Sequence, residues 1–149
     1  MGNDYQDQLG RKLIKYGILL LLLGLLTGFA IPAMNNPRMG LSSHLEGTLN
    51  GMLLIIIGII WPQLHLSLRA LKWGYGLALF GTFTNWLTTI FAGIWGAGAE
   101  TMPVAGGDQV GLAWQEDVIG LGFILLSTAM VIVTGILLWG FRGEIRANN

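Results

Sequence analysis

Uninterrupted apolar length is the feature that most limits what this chain can become. Four blocks, from about Leu13 to Ala30, His44 to Trp61, Trp73 to Trp95 and Val118 to Phe141, run near twenty residues or more with at most one charged side chain each, the length that crosses the hydrocarbon core of a bilayer. In hydrocarbon every backbone N–H and C=O needs an internal partner, and four such segments cannot close a barrel. The expected fold is therefore all-α: an integral membrane bundle of four transmembrane helices, read as a single membrane domain over residues 1–149. With 53% hydrophobic and 11% charged residues, no stretch is polar enough for a separate soluble domain, so any function sits inside the bundle or at its rim. The zero net charge argues against a nucleic-acid partner. The absence of cysteine excludes disulfides, thiolate metal sites and a cysteine nucleophile.

Basic residues set the expected orientation. Arg11, Lys12 and Lys15 flank the first span, Arg69 and Lys72 lie between the second and third, and Arg142 and Arg146 follow the fourth, seven against Arg38 alone on the opposite side. Both termini are expected to be cytoplasmic, with the 36–43 and 97–117 connections facing out. Arg11 and Lys12 ahead of an apolar run would also suit a cleavable signal peptide, but the run is longer than a typical signal core. Gly24 to Gly28 inside it forms a GxxxG spacing that suits a retained, closely packed helix, and the spacing recurs at Gly47 and Gly51. Among 23 glycines such matches also arise by chance.

The stretch NPRMGLSSHLEGTLNGM, residues 36–52, brings chemistry to the mouth of the second span. His44 is either an interface residue or an axial metal ligand. His65, the other histidine, follows 21 residues later, roughly 31 Å along a helix, too far to share a metal within one chain, and Pro62, Gln63, Ser67 and Arg69 around it suggest a cytoplasmic-side anchor. A multi-histidine ion site is thus unavailable, while a haem needing one protein ligand is not. Asn50, six residues past His44, is rotated from it by about 240°. If both serve one site, that site lies between subunits. An interhelical hydrogen bond is the structural alternative for Asn50. Glu46 is either a general base at the pocket mouth or a partner of Arg38.

The third span carries a polar stripe, Thr82, Asn85, Trp86, Thr89, Gly93 and Gly96, which belongs on a pocket or helix contact rather than against lipid. Thr82 and Thr89, like Ser127, Thr128 and Thr134 in the last span, also suit bonding to the preceding turn. Glu100, Asp108, Glu116 and Asp117 lie in the last connection, where most carboxylates are expected to be solvated. No nucleophilic triad, P-loop or dinucleotide fingerprint is present.

Taken together, NPRMGLSSHLEGTLNGM, IWPQLHLS, GTFTNWLTTIFAGIWGAG and TMPVAGG resemble the hydroxylaminobenzene mutases, small bacterial membrane proteins of nitroarene degradation. More distantly, His44 and Asn50 are similar to a histidine and asparagine of the styrene oxide isomerases, in which the histidine ligates haem b at a trimer interface and the asparagine borders the substrate. Those isomerases also carry a pocket tyrosine four residues after an asparagine in span three. Here Asn85 is followed at that spacing by Thr89, a departure that favours the mutase reading.

The resemblance implies an isomerase of the bacterial inner membrane, a homotrimer with lipid around it, that turns a small aromatic substrate, an arylhydroxylamine, into a 2-aminophenol. It implies haem b on His44, Asn50, Asn85 and Glu46 as the catalytic group, and Trp86 and Thr89 beside the substrate. An epoxide-to-aldehyde isomerase and a haem-bearing electron-transfer subunit are the alternatives.

Overall fold

A computed structural model describes residues 2–142. Arg146 and the C-terminal Asn149 fall outside them. Four long helices are apolar enough to cross a membrane: α1 (Gly2–Ala30), α2 (Pro37–Ile60), α3 (Leu68–Trp95) and α5 (Ala113–Gly140). A single turn of helix, α4 (Pro103–Gly106), interrupts the connection between α3 and α5, and no strand occurs among the described residues.

Each helix begins earlier than its apolar block. Helix α2 starts at Pro37 because Asn36 caps it, its side-chain oxygen accepting from the N–H groups of Arg38 and Met39, while Pro37 occupies a first-turn position that has no use for an N–H. Hence His44 and Glu46 sit about two turns inside a helix, deeper than the apolar pattern implied. Ser67 caps α3 in the same way through the N–H of Ala70. Hydropathy reports where the hydrocarbon lies, whereas the caps report where the helix starts.

Helix α1 packs on α2, α2 on α3 and α3 on α5, with α1 touching α3 more lightly. Helix α5 has no comparable seam with α1 or α2 among the described residues. The helices form an open row bent at α2, which brings α1 to α3. The amide of Gln6 donates to the carbonyls of Trp61 and Leu64, and the N–H of His65 donates to the carbonyl of Gly140. The start of α1 and the end of α5 therefore meet the α2–α3 turn at one end, the termini end. The α3–α5 connection covers the other, the loop end.

The α1–α2 seam is made of missing side chains. A Cβ on Gly24 would stand 2.5 Å from the Thr48 nitrogen, one on Gly17 2.7 Å from the Gly51 carbonyl oxygen, and one on Gly10 2.9 Å from that of Gly58. Glycine every seventh residue of α1 meets Gly47, Gly51 and Gly58 of α2 in antiparallel order, so the two backbones touch directly. Of the GxxxG glycines, Gly24, Gly47 and Gly51 pack within this longer repeat, whereas Gly28 packs against the His44 ring.

Two apolar cores result. One, at the termini end, gathers Leu9, Leu13, Leu20, Leu54, Ile57, Trp61 and Ala78; the other, at the loop end, gathers Met39, Ala92, Ala97 and Ile119. Along α2 the residues between Met39 and Leu54, and along α3 those between Ala78 and Ala92, form a polar layer. Outward faces are apolar, with Phe29 86% and Val131 74% exposed, as lipid contact requires. Exposed Trp73 and Trp139 lie toward the termini end. At the loop end Trp95 stacks on Phe91 and meets Trp114 edge-on at 5.1 Å between ring centres, so tryptophan marks both interfaces.

Candidate active site

The polar layer has two flanks, one on each side of α2. Toward α3, the Glu46 carboxylate receives two amides through a single oxygen: Asn85 donates to Oε2 at 2.6 Å and Asn50 to the same atom at 3.0 Å. Asn50 is one turn along α2 and 7% exposed. Glu46 thus meets amides and not Arg38, whose guanidinium lies near Gly107 in the α3–α5 connection. Oε1 has no hydrogen bond of its own and is not sealed, since among the described residues the one buried side-chain polar atom without a partner is Trp61 Nε1. A carboxylate fixed at one oxygen and free at the other can take up a proton without losing its place.

Toward α1, His44 Nδ1 lies 2.8 Å from the Gly24 carbonyl oxygen. A carbonyl only accepts, so in the neutral ring Nδ1 carries the hydrogen and Nε2 keeps its lone pair. Gly28 makes room for this, because a Cβ there would stand 3.0 Å from Nδ1. Imidazoles that bind metal ions are commonly held this way, through the far nitrogen. Among the described residues Nε2 has no partner and, like Oε1, is not sealed. Among the described residues no three His, Asp or Glu side chains converge on a point where they could hold an ion. The donor set fits a group that needs one nitrogen from the protein, such as haem.

Trp86 and Thr89 are more committed to the scaffold than the sequence suggested. The Trp86 indole packs against Gly47 and donates through Nε1 to Thr27 Oγ1 at 3.1 Å. Thr27 in turn donates to the carbonyl of Leu23. Thr89 Oγ1 reaches the carbonyls of Asn85 and Trp86 and is buried, and Thr82, Thr128 and Thr134 likewise bond back to their own helices. Gly93 packs against Met34 and Gly40, and Gly96 ends α3 with φ of 71°. His65 is exposed on the α2–α3 turn, far from the polar layer.

Two contributors were missed. Thr27 has no sequence signal that separates it from other threonines in apolar helices. Glu116 departs from the expected solvation of the last connection: Glu100, Asp108 and Asp117 are exposed, but Glu116 is 2% exposed and accepts from the N–H groups of Gly98, Glu100 and Gly111. Its position in the first turn of α5 was the available signal, because a carboxylate there can turn back to loop N–H groups.

Comparison with known proteins decides the family. The styrene oxide isomerase family model matches residues 9–142. The chain belongs to that family. Within it, the chain is 54% identical over 141 residues to hydroxylaminobenzene mutase HabB of Ectopseudomonas oleovorans, covering 95% of this chain and 86% of that protein. It is 42% identical over 124 residues to hydroxylaminobenzene mutase HabA of the same organism, covering 83% and 92%. No solved structure matches significantly. Family membership and these relatives make the chain an isomerase built as a multi-pass membrane protein.

Proposed function

We propose that this isomerase converts arylhydroxylamines of the hydroxylaminobenzene type into 2-aminophenols by moving the hydroxyl group within one molecule. The observation that carries the reading is the Glu46 carboxylate, held at one oxygen by Asn50 and Asn85 in a layer between two apolar cores. The extent of likeness to HabB, named as a mutase, supports the substrate class.

In this rearrangement the N–O bond breaks with its electron pair on oxygen, a C–O bond forms at the ortho carbon, and that carbon loses the proton that nitrogen gains in becoming the amine. Glu46 Oε1 accepts the ring proton while the two amides keep the carboxylate in place. Asn50 and Asn85 each retain an amide oxygen to orient the N–H of the substrate. The indole face of Trp86, fixed by Thr27, borders the cationic ring. His44, presenting Nε2, is the residue that would hold haem b, which when bound supplies a Lewis acid for the departing oxygen. Apolar walls limit water, which would compete for the cation.

His44 and the Glu46 group leave α2 on different flanks, which supports a site completed between copies in a homotrimer. We place the protein in a bacterial inner membrane with both termini cytoplasmic. A reporter fused to Asn149 that reads as periplasmic would overturn that placement.

The test is an absorption spectrum of the purified protein with and without hydroxylaminobenzene, followed by product identification. 2-Aminophenol as product, with a haem band that responds to substrate, is the expected result. Conversion of styrene oxide to aldehyde with no turnover of the hydroxylamine would replace this reading with the epoxide reaction. A six-coordinate low-spin spectrum indifferent to substrate, with no turnover, would replace it with electron transfer.

A further inference from the structure

We propose that Glu116 is a positioning residue that sets the fidelity of the hydroxyl transfer, by clasping the α3–α5 connection as a water seal over the α2–α3 seam. The inference rests on the mutase reading and goes beyond it, because Glu116 touches neither substrate nor the Glu46 group.

The seam can be followed residue by residue. Met39 precedes Glu46 by seven residues and Ala92 follows Asn85 by seven. Seven residues are nearly two turns, so each pair shares a helix face and the Met39–Ala92 level lies about 10 Å beyond the Glu46–Asn85 level, toward the loop end. Between the levels, Ser43, with no exposed surface, donates through Oγ to the Trp86 carbonyl at 3.3 Å. Met39 and Ala92 are likewise fully buried. Gly98 lies directly against them, beside Ala97 and Ile119: a Cβ placed there would lie 3.5 Å from both Ala92 Cβ and Met39 Cε. The connection reaches that position with φ of 104°, which glycine alone adopts easily.

Glu116 holds Gly98 there. Both carboxylate oxygens accept from the Gly98 N–H, at 2.9 and 3.0 Å, and Oε1 also accepts from Gly111 at 2.8 Å. The two ends of the connection are thereby tied to one buried side chain on α5. On the α2 side, Asn36 donates to the Gly106 carbonyl at 2.8 Å. Among the described residues the carboxylate is the sole acceptor for these loop N–H groups, and an amide would turn a donor toward one of them.

The chemistry explains why such a seal matters. Once the N–O bond has broken, the aryl cation reacts with whichever oxygen is nearest. Water adding at the para carbon forms a C–O bond, loses two protons in all, one from the water and one from the ring, and returns one to nitrogen. The original hydroxide leaves as water with the other. The result is 4-aminophenol carrying a solvent oxygen, whereas transfer within the molecule gives 2-aminophenol carrying the substrate's own.

The experiment is turnover of hydroxylaminobenzene in 18O-water by the membrane-embedded protein, with the label and isomer ratio read per product molecule. Wild type and Val131→Ala, a change on an outward face, are expected to give unlabelled 2-aminophenol. Glu116→Gln and Met39→Ala are each expected to raise solvent oxygen in the product at least tenfold and to release 4-aminophenol. Unlabelled product from both variants would overturn the seal and leave the mutase reading intact. Fully labelled product from wild type would overturn intramolecular transfer itself, and the seal with it.

A second readout does not depend on turnover. The chain has no native cysteine, so Ser43→Cys is a lone thiol on the seam. A charged, membrane-impermeant thiosulfonate is expected to modify it at least tenfold faster when Glu116 is Gln. Equal protection in the two backgrounds would overturn the proposal even if both variants lost activity.

Discussion

The two seams of α2 solve opposite problems. Toward α1 the helices meet where side chains are absent, and Gly10, Gly17 and Gly24 press against backbone. Toward α3 they meet through Ser43, Glu46, Asn50 and Asn85. The first seam derives its strength from close backbone contact and tolerates no added atoms. The second spends packing on polar groups whose hydrogen bonds are worth only about 0.6 kcal/mol each on average inside membranes. One α2 helix thus carries a rigid flank that fixes the frame and a chemically active flank that the frame must hold in register. Helix strength and reactivity are separated by angle around a single axis.

Substitution at the rigid flank is expected to have the largest effect. Gly24→Leu drives four carbon atoms into Thr48 and Gly47, so the expected loss is about 3 kcal/mol or more, seen as absence of folded protein in detergent. Recovery of a well-folded variant would show that the α1–α2 seam is looser than its distances imply.

Next comes His44 on the α1 flank, whose Nδ1 faces the glycine seam while its Nε2 is offered outward. His44→Ala is expected to keep the fold, lose most haem absorbance and bring turnover to background, while His65→Ala leaves both nearly intact. Full turnover in His44→Ala would remove the histidine from the site and reduce it to packing.

On the reactive flank, Glu46→Gln is expected to lower turnover by about 10²–10⁴-fold, the usual contribution of a positioned base, with little change in melting temperature. Asn85→Leu is expected to reduce kcat strongly while costing only about 1 kcal/mol of stability. The reverse pattern, unchanged activity per folded molecule with a marked fall in melting temperature, would make the α2–α3 seam structural like its neighbour. The smallest effect is expected far from both: Thr128→Val removes a bond from Oγ1 to the Ile124 carbonyl of its own helix on an exposed face and should change stability by less than about 0.5 kcal/mol.

Much of this contrast was legible in the sequence, but unevenly. Block length alone specified four helices, because hydrocarbon leaves the backbone no other choice. The 240° offset between His44 and Asn50 correctly separated their flanks, since helix geometry fixes direction regardless of partners. Partner identity was not legible. Glu46 had Arg38 as a nearby candidate, whereas the structure gives it two amides, one of them 39 residues away, and nothing in local spacing encodes that choice. The glycine repeat on α1 was hidden because its meaning depends on an antiparallel neighbour. Glu116 was masked by three exposed acidic residues around it, and only the path of the connection distinguishes it from them.

Gly28 and His44 occupy one volume between them: the ring stands where a side chain on residue 28 would be. Two positions sixteen residues apart therefore behave as a single heritable unit. A lineage that keeps the imidazole can enlarge residue 28 only by displacing the ring from its place, and one that gives up the imidazole is released from that constraint. Covariation between these two columns in an alignment of relatives would record how often the histidine has been given up.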